Sequence, residues 1–228
     1  MTLTLDLGNK TVEIAVKRSA RARRISLRVD PAAGPVMTLP ARASLRDGER
    51  FALEHRVWLA ERLARLPGRV AFTAGARVPL LGVEHAIVHD PVARRGVWVE
   101  DGAIRVSGQA EFIQRRVADF LKAEARRAIL PQAADMAGRI GRKPGRISVK
   151  DTRSRWGSCS AAGDLAFSWR LVLAPDWVLT YVVAHEVAHL AELNHSPAFW
   201  RVVAELVPDH EPARAWLKRF GARLHRFG

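Results

Sequence analysis

From Thr2 to Val29 apolar and polar residues alternate along the chain. TLTLDL and TVEIAV flank Gly8-Asn9, a pattern that predicts a β-hairpin. In RRISLRV, Ile25, Leu27 and Val29 fall on one face and Arg24, Ser26 and Arg28 on the other; a turn at AAGP and a short strand, VMTLP, follow. The period then changes. Ser44 is placed as the N-cap of one helix, LRDGERFALEHRVWLAERLARL, ending at Pro67-Gly68. Residues 69–107 return to short strands punctuated by Gly75, Gly82, Gly96 and Gly102.

Helical periodicity takes over at 109–140 through Phe112, Val117, Phe120 and Leu121, with an interruption or kink expected at Pro131. After a basic turn at 141–145 and the strand ISV, a second hairpin sets Arg155–Cys159 against Leu165–Trp169. Pro175 opens a helix expected over Asp176–Leu193, with Asn194 as a left-handed stop. Ser196-Pro197 start another helix through Leu206, and a last one covers about Glu211 to Leu224. The pattern divides the chain into a β-rich portion with one helix, 1–108, and a mostly helical portion, 109–228. The fold class expected is α+β, and no internal repeat or low-complexity linker is legible.

With 48% hydrophobic and 26% charged residues, the 228-residue chain has the composition of a folded protein with a sizeable core. Charge changes the picture more: 37 basic against 23 acidic side chains leave +14, which attracts nucleic acid, acidic polypeptide or anionic lipid. Only six of the basic residues are lysine and alanine is abundant, a bias that coding composition also produces. Cys159 is the single cysteine, so no intrachain disulfide forms and a reducing compartment is expected. The N-terminus lacks the basic and apolar regions of a signal peptide, and no apolar run has the length of a membrane span. A cytoplasmic location is the expectation.

The chemistry concentrates in HEVAHLAELNH, residues 185–195. His185 and His189, four residues apart, project from one helix face, and two neutral imidazoles so placed reach one ion at about 2.0–2.1 Å. Glu186 lies one step round the helix, placed to hydrogen-bond a metal-bound water as general base. His195, beyond the expected stop at Asn194, is the natural third ligand of a site holding one zinc per chain with an open position. The absence of glycine from the intervening turn departs from H-E-x-x-H-x-x-G-x-x-H. Three core histidines satisfied separately, in a helix this apolar, would each need a private carbonyl partner; a shared ion serves all three. Arg153, Arg155, Trp156, Gly157 and Ser158 are candidates to meet substrate, Gly157 because it lets backbone approach closely and the arginines because they suit anionic oxygens. Tyr181, Glu192 and Asn194 are candidates to orient the ligands from behind. Cys159 is read as a small buried hydrophobe rather than a ligand.

RWGSCS at 155–160, LAFSWRL at 165–171 and HEVAHLAELNHSPAFW at 185–200 resemble the YgjP-like metallopeptidase domain, a family related to the SprT-like and WLM zincins. VPDHEPARAWL at 207–217 is similar to the family's closing helix, and VKRSARARRISLRV at 16–29 to its N-terminal strands. The resemblance implies a zincin-like metallopeptidase core, zinc on His185, His189 and His195, and Glu186 as catalytic base. Pro131, and His210 in place of an expected aromatic residue, depart from it. A zinc peptidase acting on polypeptide is the leading expectation. Two others stand beside it: a metal-dependent nucleotide phosphoanhydride hydrolase, and a protease of SprT-like type acting on proteins bound to nucleic acid. A purely structural zinc domain would leave Glu186 without a role.

Overall fold

The computed structural model describes residues 1–8, 10–30, 34–64, 68–152 and 154–228. It divides into two compact units, Met1–Arg69 and Val70–Gly228. In the first, β1 (Thr2–Asp6) and β2 (Thr11–Ser19) form the expected antiparallel hairpin, with Leu3 opposite Ile14 and Leu5 opposite Val12. β3 (Ser26–Asp30) and β4 (Gly34–Pro40) form another, and β4 runs parallel to β2, giving the order β1-β2-β4-β3. Alternation sends Leu3, Leu5, Ile14, Met37 and Leu39 to one face, where they pack with Ala52 and Leu59 in a core of this unit's own.

Ser44 is the expected cap. Its hydroxyl accepts from Asp47 N at 3.1 Å, and Asp47 Oδ2 accepts from Ser44 N at 2.9 Å, a reciprocal box. The single helix expected here is two, α1 (Leu45–Glu54) and α2 (Arg56–Ala64). His55 separates them: its ring stacks on Phe51 at 4.1 Å, and its Nδ1 hydrogen-bonds the Phe51 carbonyl at 2.9 Å, the same carbonyl its own N–H uses. The predicted turns at Asn9 and Ala32-Ala33, and the predicted end at Pro67, lie outside the described residues.

The second unit opens with β5 (Arg77–Leu80), β6 (Val83–Asp90), β7 (Val97–Glu100) and β8 (Ala103–Ser107), in the order β5-β6-β8-β7. Two antiparallel hairpins are again joined through a parallel central pair, here β6 and β8. This repeats the first sheet's topology, so a structural repeat exists where none was legible in the sequence. Asp101 (φ 50) and Gly102 (φ 68) make the tight β7–β8 turn, which needs two positive φ angles.

A 3-10 turn, Ala110–Phe112, leads into α3 (Ile113–Arg139). Its stripe Ile113, Val117, Leu121, Ala125, Ile129 and Ala133 recurs every fourth residue and is buried. The helix continues through Pro131 instead of stopping there, because burial of Ile129 and Ala133 on either side outweighs one lost backbone hydrogen bond. The composition change at 108/109 and the compact-unit boundary at 69/70 differ for a physical reason: Val78, Ile87, Ile104 and Val106 of β5–β8 share one continuous core with α3.

A third sheet follows, in the order β10-β11-β9, with β9 (Ile147–Lys150) parallel and β10 (Gly157–Cys159) antiparallel to β11 (Leu165–Ser168). This is the expected second hairpin, with β10 left as an edge. A 3-10 turn, Trp169–Leu173, runs into α4 (Asp176–Ala188), and α5 (Pro197–Leu206) and α6 (Glu211–Leu224) complete the chain. α4 packs against α3, α5, α6 and β10, burying Val178, Leu179, Val182, Val183 and Val187. The fold is α+β, as expected. No helix among the described residues is long and apolar enough to cross a membrane.

Candidate metal centre

α4 stops at Ala188, five residues before the expected end, and His189 becomes its C-cap. The Ala188 carbonyl then accepts from both Ala191 N and Glu192 N at 3.0 Å, tightening the turn. His189 Nδ1 reaches the Glu192 carbonyl at 3.0 Å, so its Nε2 lone pair is turned the other way. Asn194 does not take the left-handed conformation; among the described non-glycine residues only Leu81 and Asp101 do. The reversal is built instead from these turn hydrogen bonds. Ser196 caps α5 by accepting from Phe199 N at 3.3 Å and fixes the backbone beside His195.

The reversal brings His195 Nε2 to 3.1 Å from His185 Nε2. One ring nitrogen from each of His185, His189 and His195 lies within 4.8 Å of the others, the group among the described residues with the donors to hold a metal ion. Tetrahedral nitrogens about 2.0–2.1 Å from zinc stand about 3.4 Å apart, so this triangle needs only small adjustment to close on an ion. Phe199 packs against all three rings, at 4.9, 4.5 and 4.7 Å between centroids, and walls the group on one side.

Electrostatics suits ligation. Burial, then the neighbouring His189, His195 and Arg214, push His185 down to about 4, so its imidazole is neutral at neutral pH. Burial also lowers His189, against the opposing pull of the Glu192 carbonyl. Glu186 is pushed up to about 7 by burial, opposed by Arg155. Its carboxylate presses on Gly157: a Cβ at that position would lie 2.4 Å from Glu186 Cγ and 2.6 Å from Oε1. Only glycine lets β10 approach α4 this closely.

The chain matches the family model described as YgjP-like, metallopeptidase domain, over residues 23–220. The chain belongs to that family. Membership in the YgjP-like metallopeptidases implies a metal ion, and the three clustered imidazoles are chemically fitted to receive one. No curated protein matches the chain. Among solved structures, the metallopeptidase zymogen of Pyrococcus abyssi abylysin is similar, at 22% identity and a TM-score of 0.34, over 48% of this chain and 96% of that one.

Beside the histidines the YgjP-like chain forms a cavity of about 270 Å³. Arg155, Trp156 and Gly157 line it at the start of β10, Tyr181, Val182, His185 and Glu186 from α4, and Arg214 and Leu217 from α6. Tyr181 is buried with its hydroxyl 3.5 Å from His185 Nδ1. Ser158 and the half-buried Cys159 line a different cavity. Glu192 meets the site through its backbone carbonyl, Asn194 is exposed, and Arg153 lies outside the described residues. Arg214, Leu217 and Phe199 fall inside the family-like segments 207–217 and 185–200, but the sequence does not single them out as site residues. Phe199 follows the histidines closely in an apolar helix and could have been found; Arg214 arrives by the packing of α6, which no local spacing reveals.

Proposed function

We propose that this chain is a zinc-dependent peptidase in which His185, His189 and His195 hold one zinc and Glu186 is the general base. The observation that carries this reading is the convergence of three imidazole nitrogens with a buried glutamate at one wall of a cleft. Three imidazoles suit zinc over harder cations, and zinc when bound lowers the pKa of its water and polarises the scissile carbonyl. Glu186 accepts the proton of the attacking water and passes it to the leaving nitrogen; in the metal-free chain burial raises its affinity for a proton. Tyr181 holds His185 from behind. The free edge of β10 offers backbone groups to an extended polypeptide substrate, which would lie across Gly157 in front of Glu186.

Zinc-loaded wild type and Glu186→Gln, assayed on casein, test this. The variant should keep its zinc and lose turnover by roughly 10²–10⁴-fold; undiminished turnover would remove Glu186 from the mechanism. The guanidinium groups of Arg155 and Arg214 at the cavity also suit phosphate, which favours nucleotide phosphoanhydride hydrolysis as a second reading. Nucleoside triphosphates in the same assay separate the two. For a protease acting on nucleic-acid-bound proteins, the +14 charge is the supporting observation.

A further inference from the structure

A second cavity, of about 390 Å³, lies on the other side of β10 and is lined from all three strands of its sheet. Its character is polar and basic. Arg146, Lys150 and Arg155 line it together with the hydroxyl residues Ser148 and Ser158. None of the three cations makes a salt bridge among the described residues, although Arg155 acts on the Glu186 carboxylate from a distance. Its one carboxylate, Asp164, already accepts from the Arg146 backbone N–H at 2.7 Å. Arg155 opens onto this cavity and onto the one at Glu186, where Arg214, paired with Glu211 at 3.2 Å, supplies a further cation. Guanidinium groups from Arg155, before β10, and from Arg146 and Arg214 elsewhere thus line the two cavities beside the edge strand.

We infer that these two cavities select polypeptide segments carrying Asp or Glu on either side of the scissile bond. The inference rests on the peptidase reading and names its substrate class. An extended chain paired along β10 sends successive side chains to opposite faces, so alternate residues meet the two basic cavities. Arginine keeps its charge at any working pH and pairs with carboxylate through two parallel N–H donors, so a desolvated acidic side chain gains here what a neutral one cannot. Polynucleotide shares the negative charge but has no main-chain N–H and C=O groups at the regular spacing a strand edge pairs with. The charge complementarity therefore favours an acidic peptide.

The test uses full-length, zinc-loaded protein and three peptides identical except for Glu, Gln or Lys at the residues flanking one cleavable bond. Cleavage is followed by fluorescence dequenching, and binding by anisotropy on Glu186→Gln protein. The Glu peptide should bind and turn over at least about tenfold better than the Gln peptide, with a preference that shrinks as salt rises. Arg155→Glu combined with Lys150→Glu, both exposed positions, should bring the Glu-to-Gln ratio to one or below and improve the Lys peptide. Arg155→Gln is the milder variant should the double charge reversal not fold, and should lower the same ratio. Equal cleavage of all three peptides would overturn the inference and leave the peptidase standing. Selective, Arg155-dependent binding of the Glu peptide with no Glu186-dependent cleavage of any peptide would support the basic cavities and defeat the peptidase reading. A single-stranded oligonucleotide that binds more tightly than the Glu peptide and displaces it would assign the cavities to nucleic acid and overturn the inference.

Discussion

Gly157 and Glu186 show how one missing methyl shapes the site. Gly157→Ala forces its Cβ into the Glu186 carboxylate, so the base must rotate away while the histidines stay in place. We expect that variant to retain its metal and lose turnover by about 100-fold, since displacing a reacting group by an ångström costs that much; turnover within a few fold of wild type would show that Glu186 tolerates the shift. Glu186 also carries a stability cost. Its folded pKa, about 7, lies above its ordinary 4.5, so the folded state disfavours the ionised form. The penalty is absent below pH 4.5 and grows as pH rises through about 7. Metal-free Glu186→Gln should therefore exceed metal-free wild type in stability at pH 8 by roughly 1–3 kcal/mol, with the gap gone at pH 4. His185 works in the opposite sense, losing stability as pH falls from 6.5 toward about 4. Urea titrations of the chelated proteins at the two pH values decide the point, and a gap independent of pH would contradict it. His185, Glu186 and His189 were legible in the sequence because helix geometry makes their relation local. Arg214 and Leu217 were not, because they reach the cleft only through the docking of α6 on α4.

At the scale of elements, the strands and the capped helix starts follow from alternation and from Ser44 and Ser196, whose hydroxyls make the bonds the sequence promises. Helix ends were harder to read. α4 ends at Ala188 because a carbonyl shared by two N–H groups and the His189 side chain close the turn, and neither depends on a residue type that marks a stop. The break at His55 is similarly local, an imidazole competing for a backbone carbonyl. Pro131 errs in the other direction: a strong sequence signal is overridden by the buried stripe of α3. Since Pro131 is exposed and its helix already continuous, Pro131→Ala restores a backbone hydrogen bond without disturbing the core. It should stabilise the protein by about 1–3 kcal/mol. Thermal unfolding checks this, and a lower melting temperature would mean that the ring packs against something the helix needs.

At the scale of the whole molecule, the described residues form two hydrophobic cores, one within Met1–Arg69 and one within Val70–Gly228, and the candidate metal centre belongs to the second unit. Loading zinc should slow amide exchange most in α4 and the turn to His195, and more in the second unit than in the first; equal slowing in both would contradict a metal site confined to one. The two four-stranded sheets share a topology that the sequence did not disclose, because strand order is set by pairing between distant segments and not by residue identity along one. The peptidase chemistry depends on the proposal that three histidines hold one metal ion. It is tested most directly by equilibrating wild type and His195→Ala with zinc, dialysing both, and measuring metal per chain. The account predicts one zinc on wild type and much less on His195→Ala; metal-free wild type, or equal zinc on both proteins, would contradict it.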